Sequence, residues 1–235
     1  MVTKKLTPVH DSSAELKRVV DSIHELRLAR GSSLRAQLLL KRLFDVLGAS
    51  LLILLFSPLF LLIAFLVKLS SKGPVIYSQD RVGLNGKLFS FLKFRTMLVN
   101  SGNGGSNEET ELREQGIILK KRNDPRITPI GAVLRRTSID ELPQLFSVLK
   151  GDMSLVGPRP LVPWMLTPFQ EFMQHRSVMR PGITGLWQIR WRDHNSSAKD
   201  MMRHDMFYIK RFSLWLDIKI LLGTPGATIS GKGAV

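Results

Sequence analysis

VLGASLLILLFSPLFLLIAFLV, residues 46–67, carries no charge, and Asp45 and Lys68 bound it. As a helix rising 1.5 Å per residue it would be roughly 33 Å long, enough to cross the hydrocarbon of a bilayer. Buried helices of soluble proteins rarely run so far without a polar stripe, so the stretch reads as a membrane element. Two details argue against a simple crossing. Ser57-Pro58 sits mid-run, where proline deletes a backbone hydrogen bond and bends a helix. Both flanks are also basic, with Arg27, Arg30, Arg35, Lys41 and Arg42 before the run and Lys68, Lys72, Arg81, Lys87, Lys93 and Arg95 after it. Basic flanks stay in the cytoplasm, and here both ends qualify. A re-entrant helix, bent at Ser57-Pro58 and returning to the face it entered, satisfies both; a kinked spanning helix is the alternative.

Composition frames what surrounds this element. The 235 residues include no cysteine, which excludes disulfide scaffolds, cysteine zinc sites and thiol nucleophiles. Lys and Arg number 34 against 19 Asp and Glu, a net charge of +15 that calls for a polyanionic partner such as phosphorylated substrate or anionic lipid. The bases are scattered and no nucleic-acid signature is present, so no nucleic acid is expected. Ser12-x-x-Glu15 opens an amphipathic helix over 12–30. Val75–Gln79 and Leu88–Met97 read as strands joined at Asn85-Gly86. Residues 100–110 read as a polar loop and 111–120 as a short helix. The apolar spacing of 162–173 and of 207–222 suits core or interfacial helices, with Trp164 and Trp215 at headgroup depth in the latter case. The expectation is an α+β unit in three parts: an N-terminal amphipathic extension (1–40), a re-entrant membrane helix (41–72) and a catalytic domain (73–235).

Several motifs fail on context. GATISGKG at 226–233 lacks the Ser or Thr and the following helix of a phosphate loop, and the five histidines show no metal-ligand spacing. Residues 123–160 are the informative stretch. Ser138-x-x-Glu141 ahead of Leu142, Leu145 and Phe146 predicts a helix start, with Asp140 and Glu141 in its first turn. Gly157-Pro158-Arg159-Pro160 and Arg180-Pro181-Gly182 are stiff turns that each fix an arginine. Adjacent carboxylates among placed cations suit a divalent metal with a diphosphate, and a carboxylate can form a covalent phosphoryl intermediate.

Lys41-Arg42-x-Phe44-Asp45, Ser57-Pro58, Lys93-Phe94-Arg95-Thr96-Met97, Asp124-Pro125-Arg126, Asp140-Glu141-Leu142, Gly151-Asp152-Met153-Ser154, Gly157-Pro158-Arg159-Pro160 and Arg180-Pro181-Gly182-Ile183-Thr184-Gly185 together resemble the small bacterial monotopic phosphoglycosyl transferases. The resemblance covers about residues 41–222 and implies a re-entrant helix with a small catalytic unit on the cytoplasmic face of the bacterial inner membrane. It implies Mg²⁺ dependence and transfer of a sugar-1-phosphate from a UDP-sugar to polyprenyl (undecaprenyl) phosphate with release of UMP, at the start of exopolysaccharide assembly. Glucose or galactose is the expected sugar, membrane lipids are partners, and a homo-oligomer is allowed. By motif, Asp140 would be the nucleophile and metal ligand, and Glu141 would act as base or place the metal. Lys93, Arg136, Arg159 and Arg180 would bind substrate phosphates. The rival expectation is a non-enzymatic membrane-anchored basic module on anionic lipid or nucleic acid.

Overall fold

The computed structural model describes residues 12–99, 124–166, 175–190 and 198–229; the expected loop at 100–110 and helix at 111–120 lie outside the described residues. Helix α1 runs from Ser12 to Ser70, so the expected N-terminal helix and the membrane run form one element. Pro58 lies inside it. Proline has no N–H to give the carbonyl four residues back, and here the Ser57 hydroxyl donates to the Leu54 carbonyl at 2.9 Å in its place.

The buried positions of α1, namely Lys41, Asp45, Ala49, Ile63 and Val67, follow helical spacing and dock on the rest of the molecule. The opposite face is a field of exposed leucine and phenylalanine, among them Leu54 at 73% and Leu61 at 75% exposure. A soluble surface rarely carries such a continuous apolar patch.

Both ends of the apolar run are held by polar contacts with the same globular part. At the near end Lys41 Nζ donates to Asp217 Oδ2 at 2.6 Å, Asp45 accepts from the Ser154 hydroxyl and the Leu155 N–H (2.9 Å each), and Arg42 donates to the Val148 and Leu149 carbonyls. Tyr208 adds its hydroxyl to Asp217 at 2.7 Å. At the far end the buried Arg95 guanidinium donates to the carbonyls of Val67 (3.2 Å), Ser71 (2.6 Å) and Lys72 (2.9 Å).

After α1 comes the expected hairpin. Strands β1 (Ile76–Val82) and β2 (Leu88–Phe94) pair antiparallel with Tyr77 opposite Lys93, Gln79 opposite Phe91 and Arg81 opposite Phe89. The turn uses Asn85 (φ 55°) and Gly86 (φ 77°), residue types suited to left-handed backbone. Directly opposed residues share a face, so Arg81 and Lys93 look the same way as the core residues Phe89 and Phe91.

Helix α2 (Pro129–Thr137) starts on Thr128, whose hydroxyl accepts from the Gly131 N–H at 2.9 Å, with proline in the first turn. The predicted cap at Ser138 is corrected. Ser138 sits at φ 57° as the left-handed C-cap of α2, giving its own N–H to Arg135 O and Leu134 O, and its side chain caps nothing. Asp140 and Glu141 occupy a single 3₁₀ turn, Ile139–Glu141. The next α-helix, α3 (Gln144–Lys150), waits for Pro143 as its N-cap.

Strands β3 (Ser154–Val156) and β4 (Gly182–Thr184) form a short parallel pair, Ser154 opposite Gly182 and Val156 opposite Thr184. Helices α4 (Pro163–Leu166), α5 (Leu186–Arg190), α6 (Ala198–Lys210) and α7 (Leu214–Ile229) complete the order. The 207–222 stretch is thus two helices, broken between Lys210 and Leu214, with Ser213 Oγ accepting from the Leu216 N–H. The main core joins Phe89, Phe91, Leu145, Val148, Met153, Met202, Met206 and Ile220, with Ala49, Leu52, Ile53 and Phe60 of α1 packed into it.

Candidate active site

Local backbone chemistry places the two acids. Gly131 of α2 lies against the Thr96 backbone just beyond β2, so close that a Cβ there would collide with it. That contact docks α2 at the end of β2. Arg135, four residues on, falls on the same helix face and its Nε donates to Thr96 Oγ1 at 2.9 Å. The left-handed Ser138 then reverses the chain and returns Ile139–Glu141 beside both elements.

Asp140 is 7% exposed. Burial first, and the adjacent Glu141 charge second, push its carboxyl up to about 7, while Lys93 and Arg135 draw it back toward the ionised form. Lys93 is lowered from its ordinary value by burial, against the attraction of Asp140 and Glu141. Its ammonium also sits 5.3 Å from the centre of the Tyr77 ring. Arg135 is likewise lowered by burial and held up mainly by Asp140.

A second cationic group borders the first. Arg81 lies over the Phe91 ring at 4.9 Å and donates to the Pro160 carbonyl at 3.1 Å and to Gln79 Oε1 at 2.9 Å. Burial and the like charge of Arg159 lower it to about 10, and Glu141 opposes them. Arg159 extends from the 157–160 turn with its guanidinium 5.7 Å from the centre of the Trp187 ring. This turn packs directly on the other stiff turn: Gly157 N–H donates to Thr184 O and Gly182 N–H to Pro158 O, both at 2.9 Å. A Cβ on Gly157 would strike the backbone of Arg180 and Gly182, so only glycine fits this approach.

Of the residues singled out in the sequence, Asp140, Glu141, Lys93 and Arg159 therefore belong to one electrostatic neighbourhood. Arg136 does not join it; it points to solvent from the last turn of α2, and its neighbour Arg135 takes the inward place. Arg180 donates from Nε to the Gly151 carbonyl at 2.8 Å and is absent from the charges acting on Asp140. Sequence reasoning missed Arg81 and Arg135. The hairpin register puts Arg81 on the face of Lys93, and the four-residue step from Gly131 selects Arg135 over Arg136; both signals were present without being used.

Among the described residues no three His, Asp or Glu side chains gather as a metal cage. The chain would offer a cation the carboxylates of Asp140 and Glu141. That donor set suits Mg²⁺, which commonly takes one or two carboxylates and completes its shell with substrate phosphates and water.

Comparison with known proteins gives a consistent picture. A family model described as "Bacterial sugar transferase" matches residues 36–231. An uncharacterized sugar transferase of Haemophilus influenzae is 45% identical over 218 residues, which cover 90% of this chain and 46% of that protein. The exopolysaccharide production protein ExoY of Rhizobium meliloti is 44% identical over 199 residues, 83% of this chain and 87% of its own. A UDP-glucose:undecaprenyl-phosphate glucose-1-phosphate transferase of Klebsiella pneumoniae is 41% identical over 201 residues, 83% of this chain and 41% of its own. The chain thus spans under half the length of the first and third, and most of the second.

Proposed function

Because the chain belongs to the bacterial sugar transferase family, we propose that it moves a sugar-1-phosphate from a UDP-sugar onto undecaprenyl phosphate and releases UMP, the first step of an exopolysaccharide. One observation carries the reading: a buried Asp140 beside Glu141, faced by Lys93 and Arg135 and bordered by Arg81 and Arg159. That arrangement supports a carboxylate nucleophile working among phosphate-binding cations. The name of the Klebsiella relative supports the substrate class, a UDP-sugar and undecaprenyl phosphate, and its glucose supports the expected hexose, glucose or galactose.

In this mechanism an Asp140 oxygen attacks the phosphorus that bears the sugar. A carboxyl–phosphate bond forms, the bond from that phosphorus to the bridging oxygen breaks, and UMP departs with the electron pair. A phosphate oxygen of undecaprenyl phosphate then attacks the same phosphorus and expels the Asp140 carboxylate. Lys93 and Arg135 favour ionised Asp140 and offset charge on the transferred phosphoryl group, and Arg159 takes a further donor phosphate oxygen. Glu141 accepts any proton left on the lipid phosphate. Mg²⁺ held by Asp140, with Glu141 beside it, would neutralise diphosphate charge.

The acceptor cannot leave the bilayer, so the enzyme must sit at its surface, here at the cytoplasmic face of the inner membrane. The exposed apolar face of α1 inserts, and α1 re-enters instead of crossing. Support comes from its two ends, since Lys41–Asp217 and Arg95–Val67 tie both to one globular part. The native chain lacks cysteine, so single cysteines at Arg35 and Lys72 report topology cleanly. Both should label from the same side of sealed vesicles; labelling from opposite sides refutes re-entry.

UMP release from a panel of UDP-sugars, with undecaprenyl phosphate and Mg²⁺, tests the chemistry. Wild type should release UMP and Asp140→Asn should not. Without lipid acceptor, wild type should hold a phosphosugar on Asp140. Folded wild type that releases nothing from any donor defeats the proposal.

A further inference from the structure

The 157–160 turn is gripped from several directions, although none of its side chains reaches Asp140. Arg176 and Asp205 form an ion pair at 5% and 2% exposure, with Arg176 Nε donating to Asp205 Oδ2 at 2.8 Å and Nη2 lying 2.7 Å from the same oxygen. Arg176 Nη2 also donates to the Arg159 carbonyl. One buried ion pair therefore holds the backbone carbonyl of Arg159, with Asp205 acting through Arg176.

The neighbours are fixed too. Pro158 O accepts from Gly182 N at 2.9 Å and Pro160 O accepts from Arg81 at 3.1 Å. Prolines on either side restrict the backbone at 158 and 160 and bias Arg159 toward extended geometry. Among the described residues the Arg159 guanidinium itself has no hydrogen-bond or ion-pair partner; it rests over the Trp187 ring. The backbone is over-determined while the charged end is left open, as in a preorganised anion receptor.

Burying an ion pair is costly unless further hydrogen bonds offset it, and this pair directs one to a backbone carbonyl seventeen residues upstream of Arg176. We infer that Arg176 and Asp205 are positioning residues for the transfer reaction, setting the aim of Arg159 at a donor phosphate oxygen without touching substrate. The inference rests on the transferase reading above.

A double-mutant cycle tests it. Purified full-length wild type, Arg176→Met, Arg159→Ala and the double variant are assayed with one UDP-sugar, undecaprenyl phosphate and Mg²⁺. Acting through Arg159, Arg176→Met should lower kcat/KM for the donor by about 10- to 100-fold, the cost of a small misplacement. In the Arg159→Ala background the same change should alter it less than about twofold, and KM for the lipid acceptor should stay put. A purely structural role would lower both backgrounds equally and move both substrates' constants; that result overturns the inference. Should Arg176→Met fail to fold, Arg176→Lys goes through the same cycle, since it keeps the charge but loses the fork that reaches Asp205 and the Arg159 carbonyl together. Wild type that turns over no donor overturns the transferase reading and this inference with it. An active wild type with an additive cycle overturns the inference alone.

Discussion

Replacing Asp140 by Asn should abolish turnover and, unusually for a buried polar position, make the fold more stable at alkaline pH. The carboxyl stands at about 7 in the folded chain against 3.8 ordinarily. For an acid raised in this way, the unfolded chain gives up its proton between about pH 4 and 7 while the folded chain keeps it. Stability is therefore full below about pH 4, falls through that window, and levels off above about pH 7. At about 1.4 kcal/mol per pH unit the loss is at most about 4 kcal/mol, and relaxation around the new charge cuts it toward about 2 kcal/mol. Asparagine keeps the shape without the charge. Urea and thermal unfolding in detergent micelles and metal-free buffer, at pH 5 and pH 8, should show Asp140→Asn ahead by about 2–4 kcal/mol at pH 8. In a chain of this size that is roughly 4–16 °C. The advantage should shrink toward pH 5. A variant less stable than wild type at pH 8, or an advantage that does not change with pH, would refute burial as the force acting on Asp140.

Gly157→Ala should cost about 1–3 kcal/mol and most of the activity, because the added methyl forces the two stiff turns apart; unfolding and UMP assays read both losses. Lys41→Met, which strands Asp217 between α1 and α7, should destabilise by about 3–5 kcal/mol, whereas Asp217→Asn, still able to meet Lys41 and Tyr208, should cost less than half as much in the same assay. Ser57→Ala should lower stability by about 1 kcal/mol by uncovering the Leu54 carbonyl, and Ser57→Ala/Pro58→Ala, which restores the backbone bond, should regain it.

The parts legible in the sequence were those set by short-range rules. The charge-free run marked the apolar part of α1, Asn85-Gly86 marked the turn of the hairpin, and the Asp140-Glu141 pair stood out among arginines. What escaped depended on contacts between distant segments. Ser138 looked like a cap because Ser-x-x-Glu usually is one, yet the end of α2 claims its backbone first and forces the left-handed turn. Choosing between Arg135 and Arg136 required the Gly131–Thr96 approach, which joins positions 35 residues apart. The contact between Gly157 and Gly182 belongs to a parallel pair, whose strands no local turn connects. The glycines and prolines marked both turns as rigid without showing that each is the other's support.

Arg95 has a use beyond fastening. An α-helix normally ends where water can reach its last carbonyls, because an unmet carbonyl in hydrocarbon costs several kcal/mol. By supplying N–H groups to Val67, Ser71 and Lys72 from a neighbouring strand end, Arg95 takes over part of the work that water does at the end of α1. Under the proposed re-entry, insertion depth would then depend less on where the helix must surface and more on how the globular part rides on the lipid. A phosphate anchored at the headgroups can accordingly be met at its own level.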